Sequence, residues 1–289
     1  MWDHYLIAES VTDALEKLAS FDGQARIIAG GTDLALQAQR GTCPSRSMVD
    51  VTRIPGLDRI EEKDGWIVIG ATATHAQVAA SHLIRSRAAV LAQACGSVGG
   101  PQIRNVATLV GNVVNALPAA DGAVGLFSLD AQVEVTTLEG HQLMPISELY
   151  ESVGVCTIDP CIQMVTALRF RPLSATMGGA FQRLAKRRAL VLPIVNAAAV
   201  VGMQGGAFTE VRIAVGPVAP TPFRAQAAEQ SLIGRTTDEA NVAHAAKLAA
   251  NAARPRASML RGSKAYRTAM VEVLVRRALT QAVQAAAGR

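Results

Sequence analysis

A short apolar run that ends in two adjacent glycines constrains the fold of this chain more than any other stretch. The run Ile27-Ile28-Ala29-Gly30-Gly31-Thr32-Asp33-Leu34 predicts a buried strand that stops in a tight turn. Because glycine accepts positive φ and has no side chain, such a turn can leave N–H groups open to a ligand. The turn is therefore either a plain corner or an anion cradle. A second stretch, Thr108-Leu109-Val110-Gly111-Asn112, favours the cradle.

The hydrophobic pattern around these stretches predicts an α+β protein, which begins with a small α/β unit. A capping box from Thr74 to Gln77 opens a short helix, and Pro118 suits the first turn of another. Longer helices are predicted at 10–20 and 83–95, and a short helix is predicted at 34–39. Strands are predicted at 26–29, 47–51, 57–59, 66–69, 133–137, 142–145 and 162–170, and a hairpin turn is predicted at 61–65.

Beyond Arg171-Pro172 the pattern changes to a run of strands followed by Ala-rich helices, which favours a separate α+β domain. Its strands are predicted at 180–184, 195–201 and 211–215, and its helices at 224–232, 238–252 and 263–286. We therefore expect a first domain at 1–172, with subdomains at about 1–55 and 56–172, and a second domain at 173–289.

Charge and composition argue against several classes of protein. The net charge is +5, but aromatic residues make up only 4% of the chain. Few aromatic side chains accompany the densest basic cluster, Arg183, Lys186, Arg187 and Arg188. We therefore expect no nucleic-acid partner. The longest apolar stretch, 189–203, is broken by Pro193 and Asn196 and is too short to span a bilayer. Since the N-terminus also lacks the pattern of a signal peptide, we expect a cytoplasmic protein.

No motif supplies an obvious acid, base, nucleophile or metal site. The four cysteines lack C-x-x-C spacing, which argues against zinc and iron–sulfur ligation. The five histidines lack metal-ligand spacing, and we expect each to be a surface or hydrogen-bonded residue. The G-x-G-x-x-G and phosphate-loop motifs are absent. We therefore assign no catalytic and no metal-binding residue, and a cofactor would have to carry any reaction.

The two glycine-containing stretches together suit a pyrophosphate, which needs several N–H donors at close range. Thr32 and Thr108 add hydroxyl donors. Asp33 either accepts a hydrogen bond from a sugar hydroxyl or a loop N–H, or caps a turn or helix. Asn112 either holds its loop or contacts a ligand.

These stretches resemble a known family. Residues 29–33 and the run Gly-Pro-Gln-Ile-Arg-Asn-Val-Ala-Thr-Leu-Val-Gly-Asn at 100–112 are similar to the FAD-binding (medium) subunit of the molybdenum hydroxylases, which include xanthine dehydrogenase and carbon monoxide dehydrogenase. The likeness resumes at 214–222 and 261–267 and covers nearly the whole chain. It implies a two-subdomain FAD-binding domain of the PCMH/vanillyl-alcohol-oxidase type. A C-terminal α+β domain of the carbon monoxide dehydrogenase flavoprotein type, with a three-stranded antiparallel sheet and helices, would follow.

The resemblance also implies a cofactor site. Residues 27–34 and 108–112 would wrap the pyrophosphate and ribityl chain of FAD. Asp121 matches an aspartate that contacts the flavin, and Val165 lies on a strand whose backbone would approach the isoalloxazine ring. Gln182 or Arg183, depending on the alignment, stands where the family often has a lysine.

Val110 departs from the family pattern, because it stands where the family usually has a glycine. A β-branched residue strongly disfavours positive φ. Either this position is extended in this chain, or the loop is rearranged and the binding of FAD is altered.

The activity that the resemblance implies is electron transfer. A large subunit would oxidise the substrate at a molybdenum cofactor, and a small subunit would pass electrons through [2Fe–2S] clusters to the FAD of this chain. The acceptor would be NAD⁺ or another molecule, and the assembly a dimer of heterotrimers. Two alternatives remain. One is a flavin-free scaffold subunit, supported only by Val110. The other is a free-standing FAD oxidoreductase, for which no cluster of catalytic groups is evident.

Overall fold

The computed structural model describes residues 2–43 and 45–288, and the chain is built around successive sheets. The first sheet is parallel and contains β1 (His4–Ile7), β2 (Ala25–Ile28) and β3 (Ser47–Asp50), with β3 in the centre. Helix α1 (Val11–Ala19) joins β1 to β2, and helix α2 (Leu34–Gln39) follows β2. Because β2 ends at Ile28, the Gly30-Gly31 turn leaves the sheet at the carboxyl end of this strand.

The second sheet is antiparallel and larger. Its strands are β4 (Ile60–Lys63), β5 (Trp66–Gly70), β6 (Gln132–Thr137), β7 (Gly140–Pro145) and β10 (Met164–Phe170). A separate hairpin of β8 (Tyr150–Ser152) and β9 (Val155–Cys156) lies between β7 and β10 in the sequence. The strand order is β4-β5-β10-β6-β7. Between β5 and β6 lie six short helices: α3 (His75–Ala80), α4 (His82–Arg87), α5 (Ala89–Gly96), α6 (Pro101–Arg104), α7 (Leu109–Val114) and α8 (Asp121–Ser128).

The C-terminal region contains an antiparallel sheet of β11 (Met177–Leu184), β12 (Val195–Gln204), β13 (Ala207–Gly216) and β14 (Phe223–Arg224) in that order. Helices α9 (Gln226–Leu232), α10 (Glu239–Ala252) and α11 (Lys264–Ala287) follow. Helix α11 packs against β11 and β12, whereas α5 and α8 of the preceding region pack against the same sheet.

Both faces of β12 are buried by small aliphatic side chains. Ala198 and Val200 belong to the core shared with the N-terminal regions, whereas Ala197, Ala199 and Val201 belong to the core formed with α9–α11. Side chains alternate between the faces of a strand, so this one strand joins the two cores. The chain has few aromatic residues, so its core is filled by small side chains, and these let helices approach the sheet closely.

Several predicted elements differ from those observed. The helix predicted at 83–95 is two helices, because Ala88 has φ −156° and ψ 51°. The strand predicted at 57–59 lies further along the chain, as β4 at Ile60–Lys63, and it occupies part of the predicted turn at 61–65. The short strand β14 adds to the three strands predicted for the C-terminal sheet. Among the described residues, no helix combines the length and the apolar character needed to cross a bilayer.

Candidate functional site

The two glycine-containing segments face each other across a groove of about 660 Å³. Segment 27–34 leaves the carboxyl end of β2, and segment 108–112 begins α7. The walls come from both N-terminal sheet regions, and Leu192, from the loop between β11 and β12, adds a contribution from the C-terminal region. A cavity of this size is typical of a small-molecule or cofactor site.

Gly30 lies directly against the backbone that leads into segment 108–112. A Cβ on Gly30 would lie 2.0 Å from the carbonyl oxygen of Val106 and 2.9 Å from Cα of Ala107, so only glycine fits here. Gly31 has φ +64° and turns the chain into α2. Within the described part of the chain, the N–H groups of residues 30–33 donate no hydrogen bond. Successive free N–H groups in such a turn favour an anionic ligand.

The start of α7 is fixed beside the start of α3. Two backbone hydrogen bonds of 3.0 Å join residues 73–75 to residues 107–109. Thr108 caps α7, since its Oγ1 accepts a hydrogen bond from the N–H of Gly111 at 3.0 Å. The predicted capping box of Thr74 and Gln77 is present at α3. Two helix N-termini, which favour negative charge, therefore lie together at the groove.

The difficulty expected at Val110 does not arise. Residues 108–112 form the cap and first turn of α7. Val110 therefore has helical rather than positive φ, and its side chain is buried in the core. Of the alternatives considered for Val110, the extended position is therefore wrong. Its N–H donates no hydrogen bond within the described residues.

Three buried side-chain atoms at the groove lack hydrogen-bond partners in the described structure. The unpartnered atoms are Oδ1 of Asn112 and both ring nitrogens of His75. A Cβ on Gly122 would lie 2.9 Å from Asn112 Oδ1 and 3.2 Å from His75 Cε1, so the two side chains lie near each other. Burial, with a contribution from Arg104, lowers the pKa of His75 to about 4, and the imidazole is neutral at pH 7. The expectation that every histidine is exposed or hydrogen-bonded is wrong for His75.

Asp33 occupies the N-cap position of α2, but its side chain accepts no capping hydrogen bond. Its carboxyl group is exposed in the groove. The surrounding walls desolvate it in part and raise its pKa, an effect that the side chain of Asn115 opposes. Of the two roles considered for Asp33, helix capping is not the one observed. The carboxyl group is available to accept a hydrogen bond from a ligand.

Most of the predicted site residues line the groove. They are Ile27, Ala29, Gly30, Gly31, Thr32, Asp33, Leu34, Thr108, Val110, Gly111, Asn112 and Val165. Ile28 and Leu109 do not, because their side chains are buried in the core. Asp121 and Gln182 also lie elsewhere, in two different environments.

Asp121 ties α8 to the C-terminal sheet. Its carboxylate accepts hydrogen bonds from Nε of Arg183 at 3.0 Å and from Nδ2 of Asn196 at 2.6 Å. Burial raises the pKa of Asp121, and both partners oppose that rise. Gln182 instead bonds to Gln281 of α11 at 2.7 Å, on the opposite face of β11. The register of β11 therefore turns Arg183, and not Gln182, toward the N-terminal regions.

Other lining residues were missed by the sequence analysis. Asn115 could have been found, because it follows Asn112 by three residues and would share its helix face. The rest carry no local motif and reach the groove only through the tertiary fold. They include Arg26, Gln37, His75, Cys156, Gln163 and Leu192. Among residues 2–43 and 45–288, no group of three or more His, Cys, Asp or Glu side chains could hold a metal ion.

Comparison with known families places this groove in context. Residues 2–170 match the model of the FAD binding domain in molybdopterin dehydrogenase. The chain belongs to the FAD-binding subunits of the molybdopterin dehydrogenases. Residues 180–282 match the carbon monoxide dehydrogenase flavoprotein C-terminal domain. The resemblance stated from the sequence and the α+β fold class are thus confirmed.

Relatives of this FAD-binding subunit match along almost their whole length. The xanthine dehydrogenase FAD-binding subunit of Escherichia coli O157:H7 is 30% identical, over 99% of this chain and 97% of that protein. Subunit alpha of the 6-hydroxypseudooxynicotine dehydrogenase complex of Paenarthrobacter nicotinovorans is 34% identical, over 98% of this chain and 95% of that protein. A chain in a structure of carbon monoxide dehydrogenase from Hydrogenophaga pseudoflava has a TM-score of 0.93 at 28% identity, over 98% of this chain and 97% of that chain. That enzyme lacks the Mo-pyranopterin moiety of the molybdenum cofactor.

The groove of the FAD-binding subunit fits the family's cofactor. At Gly30 the chain lies too close to Val106 for a Cβ. Residues 30–33 present free N–H groups. Asn112 Oδ1 is buried without a partner, and a buried polar atom normally has one. Free N–H groups suit the pyrophosphate of a dinucleotide, and an unpartnered acceptor suits one of its hydroxyl groups.

Proposed function

We propose that this chain is the FAD-carrying electron-transfer subunit of a molybdenum hydroxylase complex. It would take electrons from [2Fe–2S] clusters on a small subunit and pass them to NAD⁺ or another acceptor. The observation that carries the proposal is the groove with free N–H groups on residues 30–33, opposite the capped start of α7. Membership of the FAD-binding family supplies the identity of the ligand.

The two segments would hold the cofactor in different ways. Residues 30–33 would donate backbone hydrogen bonds to the pyrophosphate, and the carboxylate of Asp33 would accept from a sugar hydroxyl. On the facing wall, the free N–H of Val110 and the buried oxygen of Asn112 would contact the pyrophosphate–ribityl region. Val165 would present its backbone near the isoalloxazine ring. When bound, FAD supplies the ability to gather two electrons and release them together.

Asp121 and Arg183 would position the cofactor site. Their buried ion pair fixes α8 against β11, and Leu192 lies in the loop that follows β11. The C-terminal sheet is thereby held against one end of the groove. Gln182 has no role in this proposal, since it bonds to α11.

The proposed partners are a large subunit with a molybdenum cofactor and a small subunit with [2Fe–2S] clusters, in a cytoplasmic dimer of heterotrimers. Relatives that are medium chains or subunits of named complexes support this assembly. We further propose the domain division at residues 172 and 173, which the bounds of the two family matches support. The scaffold alternative loses its one support, because Val110 is helical.

Co-purification of the chain with its partners, followed by anaerobic assay, tests the proposal. The complex should contain iron and molybdenum, and substrate should reduce its flavin. Reoxidation by NAD⁺ should then be compared with reoxidation by dyes and by quinones. A chain that purifies alone, free of partner subunits and of their metals, would argue against the relay and for a free-standing protein.

A further inference from the structure

The loop between α10 and α11 exposes two large apolar side chains at its tip. Met259 is 102% exposed and Leu260 is 75% exposed, more than any other large hydrophobic residue in the described part of the chain. We call these two residues the apolar tip. Single exposed apolar residues are common on protein surfaces, but two adjacent ones at the crest of an ordered loop form a projecting surface.

The loop that carries the apolar tip is held in a fixed shape. Ser258 and Gly262 pair through two backbone hydrogen bonds of 3.1 and 2.8 Å. The buried guanidinium of Arg267 donates to the carbonyl oxygens of Arg256 at 2.8 Å and Ile194 at 3.3 Å, and also to that of Pro217. A buried arginine thus fastens the loop to the C-terminal sheet. Because the tip is already ordered, binding through it would lose little conformational entropy.

The surroundings of the apolar tip are positively charged and not neutralised. Arg254, Arg256 and Arg261 flank the tip along the chain, and Lys264 follows it. Within residues 2–43 and 45–288, none of these four side chains forms an ion pair with a carboxylate. Burial and the nearby Arg261 and Arg256 also lower the pKa of Arg267. We call these four unpaired basic residues, which flank the tip along the chain, the basic collar.

We propose that the apolar tip docks into an apolar pocket, bordered by carboxylates, on another subunit of the complex. This inference rests on the proposed function, because it requires the chain to work as a subunit. An aromatic or aliphatic anchor within a ring of complementary charge is the usual composition of an interface hot spot.

The charge and the small apolar area of the loop favour a pocket on another subunit over a second copy of this chain or a membrane. If the tips of two copies met at a two-fold axis, each basic collar would face its own equivalent, and like charges repel. A membrane surface would accept the charge, but stable anchoring needs more apolar area than two side chains provide. A carboxylate-bordered pocket on a different protein satisfies both features of the loop.

The test uses the full chain co-expressed with its large and small subunits. The double variant Met259→Asp/Leu260→Asp should associate with the partners at least about tenfold more weakly, while its FAD content stays unchanged. The control is Leu138→Asp, at the turn between β6 and β7, where the leucine is 55% exposed; it should assemble normally. Arg256→Glu should also weaken association, and the loss should be larger at low ionic strength.

Three results would overturn the inference. The double variant could assemble as well as the wild type. It could instead abolish self-association of the chain, which would assign the tip to a second copy. The wild-type chain could bind vesicles of anionic phospholipid and the double variant could fail to bind them, which would assign the tip to a membrane. If the wild-type chain itself fails to assemble with these subunits, the proposed function fails, and that outcome is distinct from all three.

Discussion

Replacing Gly30 by alanine tests the contact between the two walls of the groove. A Cβ at this position would lie 2.0 Å from the carbonyl oxygen of Val106. Since non-bonded heavy atoms settle at about 3.5 Å, the two segments would have to separate by at least about 1 Å. The clash is with backbone atoms, so no change of side-chain rotamer can relieve it. Gly30→Ala should therefore widen the groove at the proposed pyrophosphate site.

The expected loss of affinity follows from that displacement. In a catalytic site a misplacement of about 1 Å costs on the order of a hundredfold in rate, and an equal factor in binding corresponds to about 2.7 kcal/mol. We predict that Gly30→Ala raises the dissociation constant for FAD by about that factor. The folded chain should also lose about 1–3 kcal/mol of stability through overpacking. Titration of the apoprotein with FAD, followed by quenching of flavin fluorescence, measures the affinity.

Gly96→Ala provides the matched control. Gly96 ends α5, and a Cβ there would lie 3.9 Å from Cβ of Ala79, an ordinary contact. Alanine is also the better helix former, so this variant should bind FAD like the wild type and be at least as stable. Wild-type affinity in Gly30→Ala would refute the argument that the two segments form one site.

Three further predictions concern stability. Val110→Gly should lower the free energy of unfolding by about 2–3 kcal/mol, because it empties a buried position and places glycine in a helix; thermal unfolding of the apoprotein measures this, and an unchanged Tm would contradict it. Burial lowers the pKa of His75 to about 4 in the folded chain, below the value of about 6.5 for an exposed imidazole, so the unfolded chain binds the proton more readily. The neutral imidazole therefore contributes about 3 kcal/mol to the free energy of unfolding above about pH 6.5, and this contribution is lost as the pH falls toward 4. Unfolding as a function of pH should show this slope in the wild type, and a slope that persists in His75→Gln would assign it to other groups. Arg183→Met should cost about 3–5 kcal/mol, because it leaves Asp121 buried without its cation; adding Asp121→Asn should recover part of the loss in denaturant unfolding, and no recovery would show that the pair does not act as a unit.

Sequence reasoning located the groove because both of its central segments carry local signals. Gly30-Gly31 follows an apolar strand, and Thr108 carries the hydroxyl of a helix cap. The prediction failed where the answer depended on tertiary structure. Whether Val110 lies in a turn or a helix depends on α7 being held beside α3 by backbone hydrogen bonds between residues 73–75 and 107–109, and no local pattern contains that pairing.

The register of β11 is a second example. Gln182 and Arg183 are adjacent, so a shift of one position exchanges the faces of the sheet to which they point. Only the observed pairing with β12 decides that Gln182 faces α11 and that Arg183 meets Asp121. The burial of His75 was likewise invisible, because the capping box that precedes it predicts a helix start and says nothing about what packs against it.

The most direct test of the central claim is the flavin content of the purified chain. The account predicts a yellow protein that releases FAD on denaturation, and an apoprotein that recovers stoichiometric FAD when the cofactor is added back. Gly30→Ala should recover much less at the same FAD concentration, whereas Gly96→Ala should recover as much as the wild type. A colourless chain that FAD cannot reconstitute, even with its partner subunits present, would contradict the account.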